Sequence, residues 1–418
     1  MATVADEGQQ AGPAVFDPSR PVPVHPLTYL DEGDEVTVGR REAGTYVVLP
    51  ADGAALLRRL EEGATPAEAA AWYRETYGEP VDMADFCDTL GELGFLRAAG
   101  EDAVADEGPV RWQRLGRALF SLPGALLAVA LLAFAVVEML RVPGLAPRYT
   151  YVFFSRSMVL NGVVLAFGQI PLVLLHEAAH ALAGRRLGLR SHLSIGRRLY
   201  YLVFLTELNG LVTVERRKRY LPMLAGMITD VLVAAALVLA ADATRQDGHL
   251  TMAGRMLLAV AYFTLVRILW QFLFYLETDL YYVAVTVLGC VDLQTTARRV
   301  AYNNLARLAG RRTPRYDESV FHPRDREVAR WYSWLVVVGY AVSIGMLLMT
   351  TVPMITMIRL VFGRFLHPAQ ASTGGLVDSG TFVLIILAQV FLLLRPTLQA
   401  RRAARAATAD RVLLNGES

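Results

Sequence analysis

Three residues in this chain have side-chain types and a spacing that could do chemistry together: His176, Glu177 and His180, in the string His-Glu-Ala-Ala-His. Residues four apart lie one above the other on a helix face, so both imidazoles can reach one metal ion. The carboxylate beside the first histidine is placed to take a proton from a water that the metal activates. The run before the motif, Met158 to Leu175, is nearly all apolar and of membrane-spanning length. Three ionisable groups within a hydrophobic span are costly and need a reason to be there. The competing reading is a set of paired polar residues that stabilises a helix bundle.

On these residues the chain resembles the site-2 protease superfamily of intramembrane zinc metalloproteases, in particular its bacterial peptide zinc metalloprotease branch. The resemblance implies Zn2+ held by His176 and His180, Glu177 as general base, and a third carboxylate ligand from a later transmembrane segment. The best match for that carboxylate is Asp279 in Glu277-Thr278-Asp279-Leu280-Tyr281-Tyr282, which is similar to the family's Asn-Pro-x-x-x-x-Asp-Gly-Tyr-Tyr. Leu273-Phe274 stand where Asn-Pro would be and Leu280 replaces the glycine, departures that bear on local backbone shape more than on Asp279. Glu277, two residues away, falls on roughly the opposite helix face and is expected to point toward solvent or Arg267.

Two further places invite the same comparison. Ala225-Gly226-Met227-Ile228-Thr229-Asp230 resembles the family's Ala-Gly-x-x-x-Asn/Glu, where the polar side chain lies near the substrate groove. Asp230 is then either site-lining or an intramembrane partner for Arg267. Glu207 and Asn209 follow the alternating stretch Leu199–Phe204. They belong either to a membrane-dipping β-hairpin that presents an edge to substrate, with Asn209 lining it, or to a plain polar turn at Asn209-Gly210. His25, His192, His249, His322 and His367 have no ligand spacing.

The elements that must position these residues are mostly membrane helices. The chain has 418 residues, 54% of them hydrophobic, and a mean hydropathy of +0.36. Apolar runs of about 20 residues make a mainly α, polytopic bundle the expected architecture. About six spans are expected: Ala118–Leu140, the span with the motif, Tyr220–Ala241, one or more in 252–290, Trp331–Met357 and Leu376–Leu394. A net charge of only +2 gives no electrostatic case for nucleic acid. Cys87 and Cys290 suggest neither a disulfide nor a zinc cluster. Residues 1–26 lack the apolar core of a secretory signal.

Basic residues orient the spans. Segments 185–219 and 292–330 carry nine lysines and arginines each, whereas 141–157, 242–251 and 358–375 carry three, one and two. Arg401, Arg402, Arg405 and Arg411 load the tail. The expectation is a multi-pass cell-membrane protein with both termini in the cytoplasm and the histidine motif in the cytoplasmic half of its helix. Asp279 must reach the same depth, so its segment is expected to run on to about Cys290. A break or tilt within Met252–Phe274 would absorb the excess length.

Ahead of the bundle, residues 1–22 read as a disordered lead, 23–97 as a small domain and 98–112 as an acidic linker. Residues 113–397 form the transmembrane domain and 398–418 a basic cytoplasmic tail. In the small domain, Glu35–Arg40 and Thr45–Leu49 look like strands. Three helices follow, over 52–60, from Thr65-Pro66 onward, and over Met83–Leu93. Short strands, then helices, then Leu93-Gly94-Phe95-Leu96 resemble the winged-helix PqqD-like domain, which implies recognition of the leader peptide of a ribosomally made, modified peptide. The alternative is a generic α+β cap. DNA binding is disfavoured because the helices lack a basic face.

Three functional readings follow. In the first, a zinc metalloendopeptidase matures or removes the leader of such a peptide, with a peptide or protein substrate and the lipid bilayer as partners. In the second, the same chemistry cleaves a membrane-tethered regulator. In the third, the bundle is a non-catalytic peptide transporter or immunity protein with a structural metal. Glu177 argues against the third, since a purely structural site has no use for a base. The arginine asymmetry makes the orientation testable. In cysteine-accessibility labelling, positions near Ala243 and Pro368 should react from outside, and positions near Arg217 and Arg312 only from the cytoplasm; the reverse pattern would sink the orientation.

Overall fold

The computed structural model describes residues 17–40, 43–97, 110–198, 201–310, 314–368 and 371–388, with 391 and 395. The lead over 1–16, the linker over 98–109 and the tail over 398–418 lie outside the described residues. The chain is mainly helical and divides by its contacts into two units, Met1–Gly124 with Glu177–Ala225 and Ala125–His176 with Gly226–Ser418.

The first unit begins with an antiparallel meander of β1 (Thr28–Glu32), β2 (Glu35–Arg40) and β3 (Thr45–Pro50). The sequence reading has two strands here. The extra one, β1, is a short edge strand ending in Asp31-Glu32, a charged pattern that blunts an edge and hides its strand character. Three helices follow, α1 (Ala51–Glu61), α2 (Pro66–Tyr77) and α3 (Met83–Glu92). Thr65 caps α2 with Glu68 as its capping-box partner, and Asp82 caps α3. Val36, Val38, Leu56, Leu57, Leu60, Leu90 and Phe95 form the sealed core between sheet and helices. Burying each of the larger side chains is worth roughly 1.5–3 kcal/mol. The Tyr73 hydroxyl donates to Asp52. That bond pushes the tyrosine up to about 12 and holds the carboxyl below its usual range. The domain closes where its ends meet: His25 N–H donates to the Phe95 carbonyl at 2.9 Å and Arg97 N–H to the Pro23 carbonyl at 2.8 Å.

Beyond residue 110 the same unit holds α4 (Gln113–Leu119) and the C-terminal part of the long helix α6 (Met158–Arg186). The two backbones touch at Gly116, where an added Cβ would lie 2.3 Å from the Leu182 carbonyl oxygen. After α6 come β4 (Arg190–Arg198) and β5 (Tyr201–Asn209), an antiparallel pair with Arg190 opposite Asn209 and Arg198 opposite Tyr201. A β-hairpin therefore forms here, and the turn at Asn209-Gly210 ends it. Gly210 then leaves β5 in the left-handed region at φ 85°, starting a 3-10 turn over Leu211–Thr213. The hairpin lies along α6: Thr206 Oγ1 donates to the Glu177 carbonyl at 3.0 Å, and Leu208 covers Gly184, whose added Cβ would lie 2.6 Å from Leu208 Cδ2. Arg219, near the start of α7 (Arg216–Ala243), reaches Glu32 of β1 at 3.1 Å.

The second unit is built from α5 (Leu122–Arg141), the N-terminal part of α6, most of α7, α8 (Met252–Trp270), α9 (Asp279–Leu288), α10 (Leu293–Leu308), α11 (Pro323–Leu366) and α12 (Thr373–Ala388). Among the described residues, four helices (α5, α6, α7 and α8) are long and apolar enough to cross a membrane, or five if the bent pair α9 and α10 is one span, against the six expected. Leu122, Leu126, Leu127, Val129 and Leu140 of α5 stand exposed, the pattern of a helix whose apolar surface meets lipid. One core joins Tyr275, Tyr281, Leu293, Val328, Tyr332 and Val336. Another joins Leu145, Val238, Ala241 and Leu258.

The excess length of 252–290 is absorbed by a break that begins at Gln271, just after α8 and at the C-terminal end of the Met252–Phe274 stretch, and runs on to Thr278. The chain turns through Phe274–Leu276 in a 3-10 helix. Glu277 adopts φ 57°, a left-handed conformation that a residue with a Cβ takes at a cost of about 1–2 kcal/mol. Then α9 begins, and it meets α10 at an angle of 87°.

The close crossing at Gly116 yields a packing test. Gly116→Ala should lower the thermal midpoint of the purified protein by several degrees, because backbone must move aside. Gly363→Ala, in a helix with open space around it, should leave it unchanged or slightly higher. Differential scanning fluorimetry in one detergent compares the two, and equal midpoints would refute the packing account.

Candidate metal centre

His176 and His180 lie one turn apart on α6, both buried at 4% and 7% exposure. Each imidazole is held by its Nδ1. That of His176 faces Asp230 Oδ2 on α7 at 3.0 Å, and that of His180 faces the Pro222 carbonyl at 2.7 Å. A carbonyl only accepts, so Nδ1 of His180 carries the proton and Nε2 is its lone-pair nitrogen. His176 meets a carboxylate at each ring nitrogen, so a metal ion taking Nε2 would leave Nδ1–H to donate to Asp230.

Asp230 is fully removed from solvent. It also accepts from Arg267 of α8, through Nε at 2.9 Å and Nη2 at 2.5 Å. Such a fork against a carboxylate is the strong form of the ion pair. Removing one member of a buried pair costs about 3–5 kcal/mol. Arg267 Nη1 also donates to Gln169 Oε1 at 3.1 Å, and Gln169 Nε2 donates to the Val260 carbonyl at 3.1 Å. Of the two readings of Asp230, the pairing with Arg267 is the one the contacts show, and the same carboxylate also meets Nδ1 of His176.

Asp279 is the first residue of α9. Its carboxylate Oδ2 lies 3.1 Å from Nε2 of His176. Gln271 sets this position from across the break, since its Oε1 accepts from Asp279 N–H at 3.0 Å and its carbonyl accepts from Thr278 Oγ1 at 2.6 Å. His176, His180 and Asp279 each offer a ligand atom, and these atoms lie within 4.8 Å of one another. Ligands on one tetrahedral zinc stand about 3.3–3.5 Å apart, from bond lengths of about 2.0–2.2 Å. The group could hold a metal ion, with two imidazoles and a carboxylate as donors.

The other candidates fall differently. Glu277 points away to Arg298 at 3.0 Å, while Arg267 is taken by Asp230. Glu207 accepts from Ser194 Oγ at 2.9 Å across the hairpin. Asn209 ends β5, and its side chain lies outside what is described. The Glu177 side chain is half-buried, one position along α6 from His176. No protein family, curated protein or solved structure matches the chain.

Sequence reasoning missed Gln169, Gln271 and the Pro222 carbonyl. Gln169 had a legible signal: it is a polar residue in an apolar run, seven positions and two turns before His176. A backbone carbonyl carries none.

Purified Asp279→Ala should lose its bound metal, whereas Glu277→Ala should keep it. Asp230→Asn should weaken metal binding about 10–100-fold by releasing the His176 ring. Elemental analysis against protein concentration reads all three. Metal retained in Asp279→Ala and lost in Glu277→Ala would mean that the wrong carboxylate has been chosen.

Proposed function

We propose that this chain is a multi-pass intramembrane zinc metalloendopeptidase of the site-2 type, with both termini cytoplasmic. The observation that carries the reading is the convergence of His176, His180 and Asp279 beside Glu177, in a helix apolar enough to cross a membrane. A bound Zn2+ would supply Lewis acidity toward a peptide carbonyl and toward water.

The chain's own residues would do the rest. His176, locked by Asp230, and His180, locked by Pro222, would present fixed nitrogens. Asp279 would add the third donor. Glu177 would take the proton of the attacking water and return it to the leaving amine. The motif belongs to α6, and β5 runs beside it with Thr206 on the Glu177 carbonyl. A strand-like edge there supports an extended substrate, as a helical peptide must unwind to expose its carbonyl to attack.

The N-terminal domain supports a substrate class. Its strands-then-helices order resembles that of a PqqD-like, leader-binding module, and Glu32 ties it to Arg219 just beyond the hairpin. The proposed substrate is the precursor of a ribosomally made, modified peptide, and the proposed job is leader removal or maturation.

Glu177→Gln keeps the shape of the site and removes the base. Peptide-bond cleavage should fall by about 10²–10⁴ while bound zinc stays at the wild-type level. Cleavage of a fluorogenic precursor peptide by reconstituted protein measures the first and elemental analysis the second. Full activity in Glu177→Gln would exclude the mechanism.

A further inference from the structure

The second unit has a cavity of about 690 Å³ at the ends of three helices. Arg156 and Ser157 precede α6, Arg359 and Arg364 lie in the last turns of α11, and Gly375 and Asp378 lie in the first turns of α12. Its single carboxylate is committed to the protein. Asp378 accepts from Ser157 Oγ at 2.5 Å, from the backbone N–H of Met158 at 2.9 Å and of Val159 at 3.2 Å, and from Arg364 at 3.3 Å. Asp378 thereby caps α6 and neutralises Arg364. Arg156 and Arg359 stay exposed on the cavity wall, and among the described residues neither has a carboxylate partner.

The surplus positive charge stands where basic residues are scarce. The segments 141–157, 242–251 and 358–375 together hold six lysines and arginines, the sum of three, one and two, and three of these six line this one cavity. Beside it the surface is apolar: Ile358, Phe362, Phe365, Leu366 and Val377 are all exposed. Charge at the helix ends with exposed apolar side chains alongside matches an amphiphile: an anionic group at the level of the bilayer surface and hydrocarbon along the helices.

We propose that this cavity binds the phosphate headgroup of an anionic phospholipid, held by Arg156 and Arg359, with its acyl chains against Phe362, Phe365 and Leu366. The inference rests on the membrane reading and is independent of the proteolytic one. The cavity lies outside the metal centre, so a lipid effect and a catalytic effect separate.

The test is native mass spectrometry of the full-length, delipidated protein titrated with phosphatidylglycerol, phosphatidylcholine or inorganic phosphate. The wild type should retain phosphatidylglycerol over phosphatidylcholine. The Arg156→Gln/Arg359→Gln variant should bind it roughly tenfold to thirtyfold more weakly, from about 1 kcal/mol per basic residue. Arg255→Gln, which removes an exposed arginine outside the cavity, should bind as the wild type does. A thermal midpoint equal to wild type in the double variant shows that the fold survives; if it aggregates, each single variant must weaken retention on its own. Equal retention by the double variant and the wild type would overturn the proposal. So would a matching loss in Arg255→Gln, which would mean unspecific charge attraction. Competition by inorganic phosphate at the lipid's own concentration would make this a soluble-anion site and overturn the lipid assignment.

Discussion

A carboxylate with no exposure to solvent, inside an apolar helix bundle, has to be neutralised by its neighbours, and Asp230 is neutralised from two sides. Arg267 takes both of its oxygens, and His176 presents Nδ1 to one of them. This contact joins α6, α7 and α8 at one point, and the rest of the site depends on it. Without Arg267 the carboxylate would be an uncompensated buried charge. Without Asp230 the His176 ring would lose the contact that holds its Nδ1. Gln169 extends the network to the Val260 carbonyl, so the arginine is itself held.

The second dependence is on a break in the chain. A continuous helix through 252–288 would carry Asp279 onward with α8. The turn over 271–278 instead makes Asp279 the first residue of a new helix. Two contacts from Gln271 stitch the two sides of the break together, and Glu277 accepts a left-handed backbone while its side chain goes to Arg298. The strain at Glu277 accompanies a carboxylate two residues on that meets a histidine. The chain turns here with Leu273 and Phe274 at the turn and no proline within 271–278.

In the first unit, close approach does the positioning. Gly116 lets α4 lie against the Leu182 carbonyl of α6, and Gly184 admits Leu208 of the hairpin on the same helix. A β-carbon at either place would push the neighbour away. β5 is thereby held along the C-terminal part of α6, where Thr206 bonds the carbonyl of Glu177 itself.

Much of this was legible in residue types and periods. The apolar runs, the four-residue histidine spacing, the Thr65-Pro66 helix start and the alternation before Asn209 are local signals, and local physics decides them. The pairing of Asp230 with Arg267 was also open to reading, since two opposite charges in neighbouring apolar spans need each other. Other features had no local signature. β1 ends in two acidic residues and becomes a strand only because β2 offers it a partner. The break fell after Trp270, where hydrogen bonds of Gln271 with residues seven and eight positions away could form. The Pro222 carbonyl that fixes His180 is a backbone atom, identical in kind to every other. The sequence by itself determined which side chains could bind a metal, because donor chemistry and helical spacing belong to the residues. Only the tertiary structure decided that Asp279 would meet His176 and that Asp230 would stand behind it, because those distances depend on how separate helices pack.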